Sequence, residues 1–202
     1  RALDLHARAV FFSTELVFDG VTGGYDETSA PNPVTEYGRQ KVEVERHLLA
    51  RDGDWVIVRM GATVTEKLGE NCVVEKTYAT LMGADAHMAR DNVFSLTAGR
   101  ETVTALLALR ERGEPGIYHF VGEPPVNRAE LADWIINHSR FSGRMRYTET
   151  AYRNIPFPEP RPLRSYMVGP GTYPRLGIRL APPLPAVTRK VALLDEKSDE
   201  SV

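Results

Sequence analysis

The chain has a single cysteine, Cys72, and no long hydrophobic run. One cysteine excludes an internal disulfide and is typical of a reducing compartment, so we expect a cytoplasmic protein. No apolar stretch approaches the ~18 residues that a membrane-spanning helix requires, and no signal-peptide pattern is visible. The sequence therefore predicts no membrane partner.

An excess of charge of one sign is also lacking. The formal net charge is −2 and the basic residues are dispersed, whereas nucleic-acid-binding domains carry a basic stripe. We therefore expect no nucleic-acid partner. The five histidines have no metal-ligand spacing with one another or with Cys72, which predicts no metal site. His119, inside an apolar run, is interpreted as a core residue rather than a catalytic one.

A glycine-rich phosphate-binding turn is missing as well. Dinucleotide-binding folds place a G-x-x-G-x-x-G-like turn between a strand and a helix whose N-terminus holds the pyrophosphate. Gly20, Gly23 and Gly24 do not stand between a strand and a helix. The chain begins with Arg1, and segment 2–8 has the composition of a helix tail. We expect the C-terminal portion of a longer protein, without its first βαβ units.

What the chain does have is the composition and pattern of an α/β domain. It is 42% hydrophobic and 26% charged, enough apolar residues for a sizeable core. Apolar runs of strand length alternate with helix-length segments. Strands are predicted at 9–14, 55–59 and 117–121, with 90–97 undecided. Helices are predicted at 33–50, 71–82, 99–112, 128–139 (with Asn127 as N-cap) and 186–194.

Tyr37 and Lys41 are the strongest candidates for catalysis. They are four residues apart, so on a helix they share a face at ~5–6 Å. The ionised form of a phenol is stabilised beside an ammonium, and such a pair can exchange a proton with a carbonyl group. Thr14 ends the preceding strand, at the edge where open α/β sheets bind ligands. The three residues predict a ketone-reducing or alcohol-oxidising site; an exposed helix with a solvated lysine is the alternative for the bare spacing.

Several motifs, in this order, resemble a known family. They are S-T-E-L-V-F-D-G at 13–20, A-P-N-P at 30–33, and Y-G-R-Q-K at 37–41 followed by Glu45. This order resembles the extended short-chain dehydrogenase/reductases and, within them, the dTDP-4-dehydrorhamnose reductase group. Segments 116–120, 161–165 and 176–180 resemble the late strand and C-terminal signature of that group.

The resemblance implies a fold and a cofactor. The fold would be the C-terminal portion of a Rossmann-type doubly wound parallel sheet, interleaved with a smaller substrate lobe, and the cofactor NADP or NAD. Residues 1–60 and 99–122 would belong to the nucleotide-binding domain. Residues 61–98 and 123–195 would form the substrate lobe, and 196–202 a flexible tail. The truncation would expose an apolar strand edge at 9–12, which favours self-association of this chain in isolation. A homodimer is also among the expected assemblies.

The resemblance also implies roles for the site residues. Tyr37 would protonate the developing alkoxide, Lys41 would support it and bind the nicotinamide ribose, and Thr14 would hold the reacting oxygen. Ser13 is predicted on the cofactor side, with Tyr37 and Lys41. Glu15, which stands where the family usually has Asp, is predicted to bind substrate.

Two more residues are predicted to bind substrate, each with a structural alternative. Asn71 stands where family members often have a substrate-contacting Asn, and it could equally cap a helix. Arg161 could bind a nucleotide-sugar phosphate through its planar fork, and a structural salt bridge is as good an interpretation.

The leading functional hypothesis is an NAD(P)H-dependent reductase of a nucleotide-linked 4-keto-6-deoxysugar. The sequence departs from the family at pocket-shaping positions, in segments 60–69 and 94–98 and at Arg164, so a different sugar or a loss of turnover is also consistent with it. The rival hypothesis is a non-catalytic binding protein on the same fold, like the methionine adenosyltransferase β subunit. Fold analogy alone does not separate the two.

Overall fold

The computed structural model describes residues 8–199. The helix tail expected over 2–8 lies, apart from Arg8, outside the described residues. Strands in the described part are β1 (Ala9–Thr14), β2 (Trp55–Met60), β3 (Ala62–Val64), β4 (His87–Ala89), β5 (Val93–Ala98), β6 (Gly116–Phe120), β7 (Gly122–Asn127) and β8 (Thr148–Thr150). Helices there are α1 (Glu36–Leu49), α2 (Val73–Met82), α3 (Gly99–Arg112), α4 (Arg128–His138), α5 (Thr172–Leu176) and α6 (Leu184–Asp199).

The first sheet is parallel, with strand order β1-β2-β6. Val56, Ile57 and Val58 of the central strand β2 are fully buried, as expected for a strand covered on both faces. α3 packs on one face of this sheet through Ala105 and Leu109. The predicted α/β class with parallel strands is confirmed.

β1 lies at one edge of this sheet. Its Val10 and Phe12 are 39% and 43% exposed, and β2 is its hydrogen-bonded neighbour. The outer side of β1 is therefore the apolar strand edge that the sequence predicts.

A second core lies around α2, α4 and α6 and the sheet β3-β5-β7. Leu81, Leu96, Leu131, Ile135 and Val191 are fully buried in it. The remaining strands, β4 and β8, pair in parallel beside it. Leu176 of α5, although it falls in segment 123–195, joins the core of the first sheet. The proposed division of the chain into segments stays a prediction.

The predicted elements are present, with shifted ends. α1 begins at Glu36 rather than at 33, and α2 begins at Val73 rather than at 71. The capping box of Asn127 and Glu130 starts α4 as predicted. The undecided segment 90–97 contains strand β5.

The predicted flexible tail, 196–202, overlaps the end of α6 in the described residues. α6 continues to Asp199 because Asp195 is buried in a polar network. Its carboxylate accepts hydrogen bonds from the hydroxyls of Tyr78 and Ser139, both at 2.7 Å. These bonds attach the last turns of α6 to α2 and to the end of α4.

Candidate functional site

The candidate site begins where β1 ends. Carboxyl ends of parallel strands meet at one edge of a sheet, the usual ligand edge of α/β folds. The chain leaves β1 through a 3-10 turn, Glu15–Val17, which Thr14 caps by accepting a hydrogen bond from the Leu16 amide at 3.2 Å. The Thr14 hydroxyl keeps its hydrogen available for a second partner.

α1 packs directly on this turn. Thr35 caps the helix by accepting a hydrogen bond from the Gly38 amide at 3.0 Å. A Cβ atom at Gly38 would lie 2.1 Å from the carbonyl oxygen of Leu16. Glycine is therefore needed at position 38 for α1 to approach the turn that follows Thr14.

Tyr37 and Lys41 lie on α1 beside β1. The Lys41 ammonium is 5.5 Å from the centroid of the Tyr37 ring and 4.8 Å from that of Phe11. It donates a hydrogen bond to the Phe12 carbonyl oxygen at 2.8 Å. Tyr37 is 48% exposed. The cation is thus fixed to β1, next to a phenol that a ligand can reach.

Ser13 belongs to a buried group of charges on the α1 side of β1, which we call the closed cluster: Ser13, Glu45 and Arg59. The Ser13 hydroxyl donates to Glu45 at 2.5 Å, and Arg59 binds the same carboxylate through Nε at 3.1 Å and Nη2 at 2.7 Å. All three residues are 6% exposed or less. Because the Ser13 hydroxyl donates its hydrogen to Glu45, it has no hydrogen left to donate to a cofactor.

His119 lies next to the closed cluster, opposite Arg59 on β6. It is fully buried, in agreement with its interpretation as a core residue. Its Nδ1 lies 2.9 Å from the Val168 carbonyl oxygen, and its Nε2 has no partner among the described residues. Burial, reinforced by the nearby Arg59 charge, lowers the pKa of His119 to about 4.

A cavity of about 300 Å³ opens on the other side of Thr14. We call it the open cavity, and its polar lining includes Thr14, Glu15, Lys76, Asn92, Arg128 and Arg161. A larger space of about 990 Å³ lies beside Tyr173 and Leu180, and none of the predicted site residues lines it. The open cavity is therefore the better candidate for the substrate.

Glu15 is a buried carboxyl group in the wall of the open cavity. It is 7% exposed and accepts a hydrogen bond from the Ser95 amide at 3.0 Å. Burial raises the pKa of Glu15 to about 8, against the opposing effects of hydrogen bonds from Ser95 and Ser165 and of the Arg128 charge. At neutral pH this carboxyl group is mostly protonated and can donate a hydrogen bond to a ligand oxygen.

The remaining predicted substrate residues differ in their placement. Arg161 lines the open cavity. It also lies 3.9 Å from Glu159 and 5.8 Å from the Phe157 ring centroid. Asn71 is exposed, has a positive φ of 55°, and does not line this cavity. It does not cap α2 either, since Cys72 holds the N-cap position.

Arg128 and Asn92 are cavity residues that the sequence analysis missed. The Arg128 Nε donates to the Asn92 side-chain oxygen at 2.7 Å. Asn92 falls in the undecided segment, and Arg128 was interpreted only as the start of a helix. In the sequence, Asn92 and Arg128 are recognisable only as polar residues next to apolar runs. That pattern does not indicate that the two residues meet in the folded protein.

No group of three or more His, Cys, Asp or Glu side chains among residues 8–199 could hold a metal ion. No helix in this part is long and apolar enough to cross a membrane.

Comparison with known proteins identifies relatives of two kinds. The chain is 33% identical over 127 residues to a dTDP-4-dehydrorhamnose reductase of Aggregatibacter actinomycetemcomitans, covering 59% of this chain and 43% of the relative. It is 27% identical over 139 residues to the methionine adenosyltransferase 2 subunit beta of Xenopus laevis, covering 65% and 42%. The chain therefore spans less than half the length of these curated relatives.

Solved structures share the fold. A dTDP-4-dehydrorhamnose reductase of Bacillus anthracis in complex with NADP superposes with a TM-score of 0.80 at 20% identity, covering 96% of this chain and 68% of that one. A dTDP-glucose 4,6-dehydratase of the same organism, in complex with NAD, superposes with a TM-score of 0.78 at 15% identity, covering 98% and 66%. At these identities the likeness establishes the fold alone.

The family match extends over nearly the whole chain. Residues 1–192 match the family described as RmlD substrate binding domain. That range contains the Tyr37–Lys41 helix, the end of β1 and every residue that lines the open cavity. The chain belongs to the RmlD substrate binding domain family.

Proposed function

We propose that the protein containing this chain uses NADPH or NADH to reduce the ketone of a nucleotide-linked 4-keto sugar. A 4-keto-6-deoxysugar, the class that the sequence analysis favours, is the first substrate to test. The observation that carries the proposal is Lys41, fixed to β1 by its 2.8 Å bond to Phe12, with Tyr37 beside it. Both lie on the helix that packs on the turn after Thr14.

Three residues of this chain would each have a separate role at the ketone. Tyr37 donates a proton to the oxygen that becomes the alcohol, and the Lys41 ammonium stabilises the phenolate left behind. The Thr14 hydroxyl, whose oxygen already accepts from the Leu16 amide, donates its hydrogen to the same substrate oxygen. A bound nicotinamide supplies the hydride.

The described residues fit one end of this cofactor. Tyr37 and Lys41 are accessible from the ligand edge of the sheet and can meet the nicotinamide-ribose hydroxyls. The 202 residues contain no G-x-x-G-x-x-G turn for the pyrophosphate. We therefore assign them the reacting end of the cofactor and the sugar.

The substrate would occupy the open cavity. Glu15 would hydrogen-bond the sugar next to Thr14, and Arg161 would meet the phosphates. Asn71 does not line the open cavity, so its position does not favour the predicted contact with the substrate. That contact stays a prediction. A cytoplasmic location and a homodimer belong to the same proposal.

The rival function is that of a non-catalytic binding subunit. It is favoured by the relatives named methionine adenosyltransferase 2 subunit beta, at 27% and 29% identity in two Xenopus species. The catalytic hypothesis is favoured by the presence of Thr14, Tyr37 and Lys41 together at one edge of the sheet. Turnover by the wild-type protein separates the two.

The test is Tyr37→Phe in the complete protein, with dTDP-4-dehydrorhamnose and NADPH. Losing the proton donor should lower kcat by roughly 10²- to 10⁴-fold, measured by oxidation of the reduced nicotinamide. The matched control is Tyr147→Phe, which also removes a hydroxyl but lies outside α1, with its hydroxyl bonded to Asp133, and it should keep normal turnover. Unchanged turnover in Tyr37→Phe contradicts the assigned chemistry, and a wild-type protein without turnover favours the binding subunit.

A further inference from the structure

Arg128 is held rigidly in the wall of the open cavity. It is the first residue of α4, and its Nε donates to the Asn92 side-chain oxygen at 2.7 Å. Its guanidinium lies 5.5 Å from the ring centroid of Phe94 and 5.6 Å from that of Tyr152. Two rings and one hydrogen bond thus fix the plane of the cation before any ligand arrives.

Asn92 is itself fixed in one orientation. It is 3% exposed, and its Nδ2 donates to the carbonyl oxygens of Leu163 at 3.0 Å and Pro162 at 3.3 Å. If the Asn92 amide were rotated by half a turn, its oxygen would face the two carbonyl oxygens and its NH₂ group would face the Arg128 guanidinium. Neither contact could form a hydrogen bond. The side-chain oxygen of Asn92 is therefore committed to Arg128.

The far side of the Arg128 guanidinium is left for a ligand. Neither Nη nitrogen has a hydrogen-bond acceptor within residues 8–199, and no salt bridge there involves Arg128. By contrast, Arg90 pairs with Glu149 at 2.8 Å and does not line this cavity. The carboxyl group that interacts electrostatically with Arg128 is Glu15, which is held by Ser95 and Ser165 instead.

We propose that Arg128 binds an oxyanion of the ligand in the open cavity, a phosphate or a carboxylate, through two parallel hydrogen bonds from its guanidinium. Guanidinium matches both groups in this bidentate geometry, and a side chain fixed in advance loses little entropy on binding. The inference rests on the proposed nucleotide-sugar ligand, which offers two sources of this chemistry. They are the diphosphate and an acidic substituent on the sugar next to Glu15.

The test is calorimetric titration of the complete protein, without cofactor, with dTDP, UDP-glucose and UDP-glucuronic acid. The last two compounds have the same nucleotide and differ by one carboxylate. Arg128→Gln should weaken binding by about 10- to 100-fold for the compounds that carry the recognised oxyanion. Arg128→Lys should restore part of the affinity, because it keeps the charge and loses the fork. Arg144→Gln is the matched control, an exposed arginine that also stacks on a ring, Phe141, outside the cavity.

The outcomes distinguish the diphosphate from a sugar carboxylate as the bound oxyanion, and the inference on Arg128 from the proposed function. A loss for all three compounds identifies the diphosphate, and a loss confined to UDP-glucuronic acid identifies a sugar carboxylate; each supports the proposal. If the wild type binds these compounds and folded Arg128→Gln and Arg128→Lys bind them equally well, the inference is wrong while the proposed function stands. A wild-type protein that binds none of them contradicts both.

Discussion

Two buried glutamates flank the end of β1, and their surroundings differ. Glu45, in the closed cluster, is held by Nε and Nη2 of Arg59 and by the Ser13 hydroxyl. Glu15, in the open cavity, is held by the Ser95 amide, and Arg128 acts on it only electrostatically. Ser13 and Thr14 are consecutive in β1, so their side chains point to opposite faces of the strand.

The surroundings of the two glutamates indicate different roles. Glu45 stabilises the fold, and we interpret Glu15 as part of a ligand-binding site. In the closed cluster every oxygen of the Glu45 carboxylate has a donor, and the group joins α1 to β1 and β2. In the open cavity, Glu15 and Arg128 are held by neighbours and keep hydrogen-bonding groups that a ligand could use. An unpartnered atom does not by itself distinguish the two regions, because the buried Arg59 Nη1 of the closed cluster also lacks a partner among the described residues. The distinguishing feature is that Glu15 and Arg128 line a cavity, which we interpret as a binding site.

The largest effect should come from breaking the closed cluster. Glu45→Gln would leave the buried Arg59 cation uncompensated, which costs about 3–5 kcal/mol of unfolding free energy. Urea denaturation measures this change. Glu36→Gln, which removes an exposed partner of Arg39, is the control and should change stability little. A Glu45→Gln protein as stable as the control would mean that this cluster is not structural.

A pH-dependent effect should come from Glu15. Its pKa is raised from 4.5 to about 8 in the folded state, so the folded protein keeps a proton that the unfolded chain has released. This contribution to stability is complete below pH 4.5 and is lost as the pH rises to about 8. Glu15→Gln should therefore gain stability relative to wild type between these limits, measured by urea denaturation at several pH values.

The difference in unfolding free energy between Glu15→Gln and wild type contains the contribution of Glu15 alone, because other titrating groups contribute equally to both proteins. His119, whose folded pKa of about 4 lies below its ordinary 6.5, has the opposite effect. It destabilises both proteins equally as the pH falls through this range, so it cancels. Glu114→Gln, at an exposed position, should show a flat difference. A flat difference for Glu15→Gln as well would show that Glu15 is ionised in the folded protein.

The smallest effect should come from Ser13→Ala. It removes one hydrogen bond from Glu45 and leaves both Arg59 bonds in place, so the loss should be about 1–2 kcal/mol. Ser142→Ala, in an exposed turn, is the control in the same denaturation measurement. A loss as large as that of Glu45→Gln would mean that Ser13, rather than Arg59, is the main partner of Glu45.

The sequence predicted the part of the site that local pattern determines. β1 and α1 follow from an apolar run and a capped helix, and the spacing of Tyr37 and Lys41 places both on one helix face. Glu15 and Arg161, which the resemblance added as substrate-binding residues, both line the open cavity. Their chemical roles stay predictions.

The missed part depends on distant contacts. In β5, Ser95 and Thr97 interrupt the apolar pattern that would predict a strand, yet both are fully buried. Ser95 donates to the Glu15 carboxylate through its amide, and the Thr97 hydroxyl donates to the Phe120 carbonyl at 2.8 Å. Arg128 meets Asn92 across 36 residues of sequence. Such partners are supplied by folding, and no local periodicity encodes them.

The contact between Gly38 and the Leu16 carbonyl also limits how this protein could be engineered. Replacing glycine by alanine inside a helix is a standard route to thermal stability, worth up to about 1 kcal/mol. Here the added methyl group would overlap the turn that carries Thr14. The helix would have to move outward, and the phenol of Tyr37 would move with it, away from the end of β1. A change that improves the helix as an isolated segment would therefore disrupt the arrangement on which the proposed reaction depends.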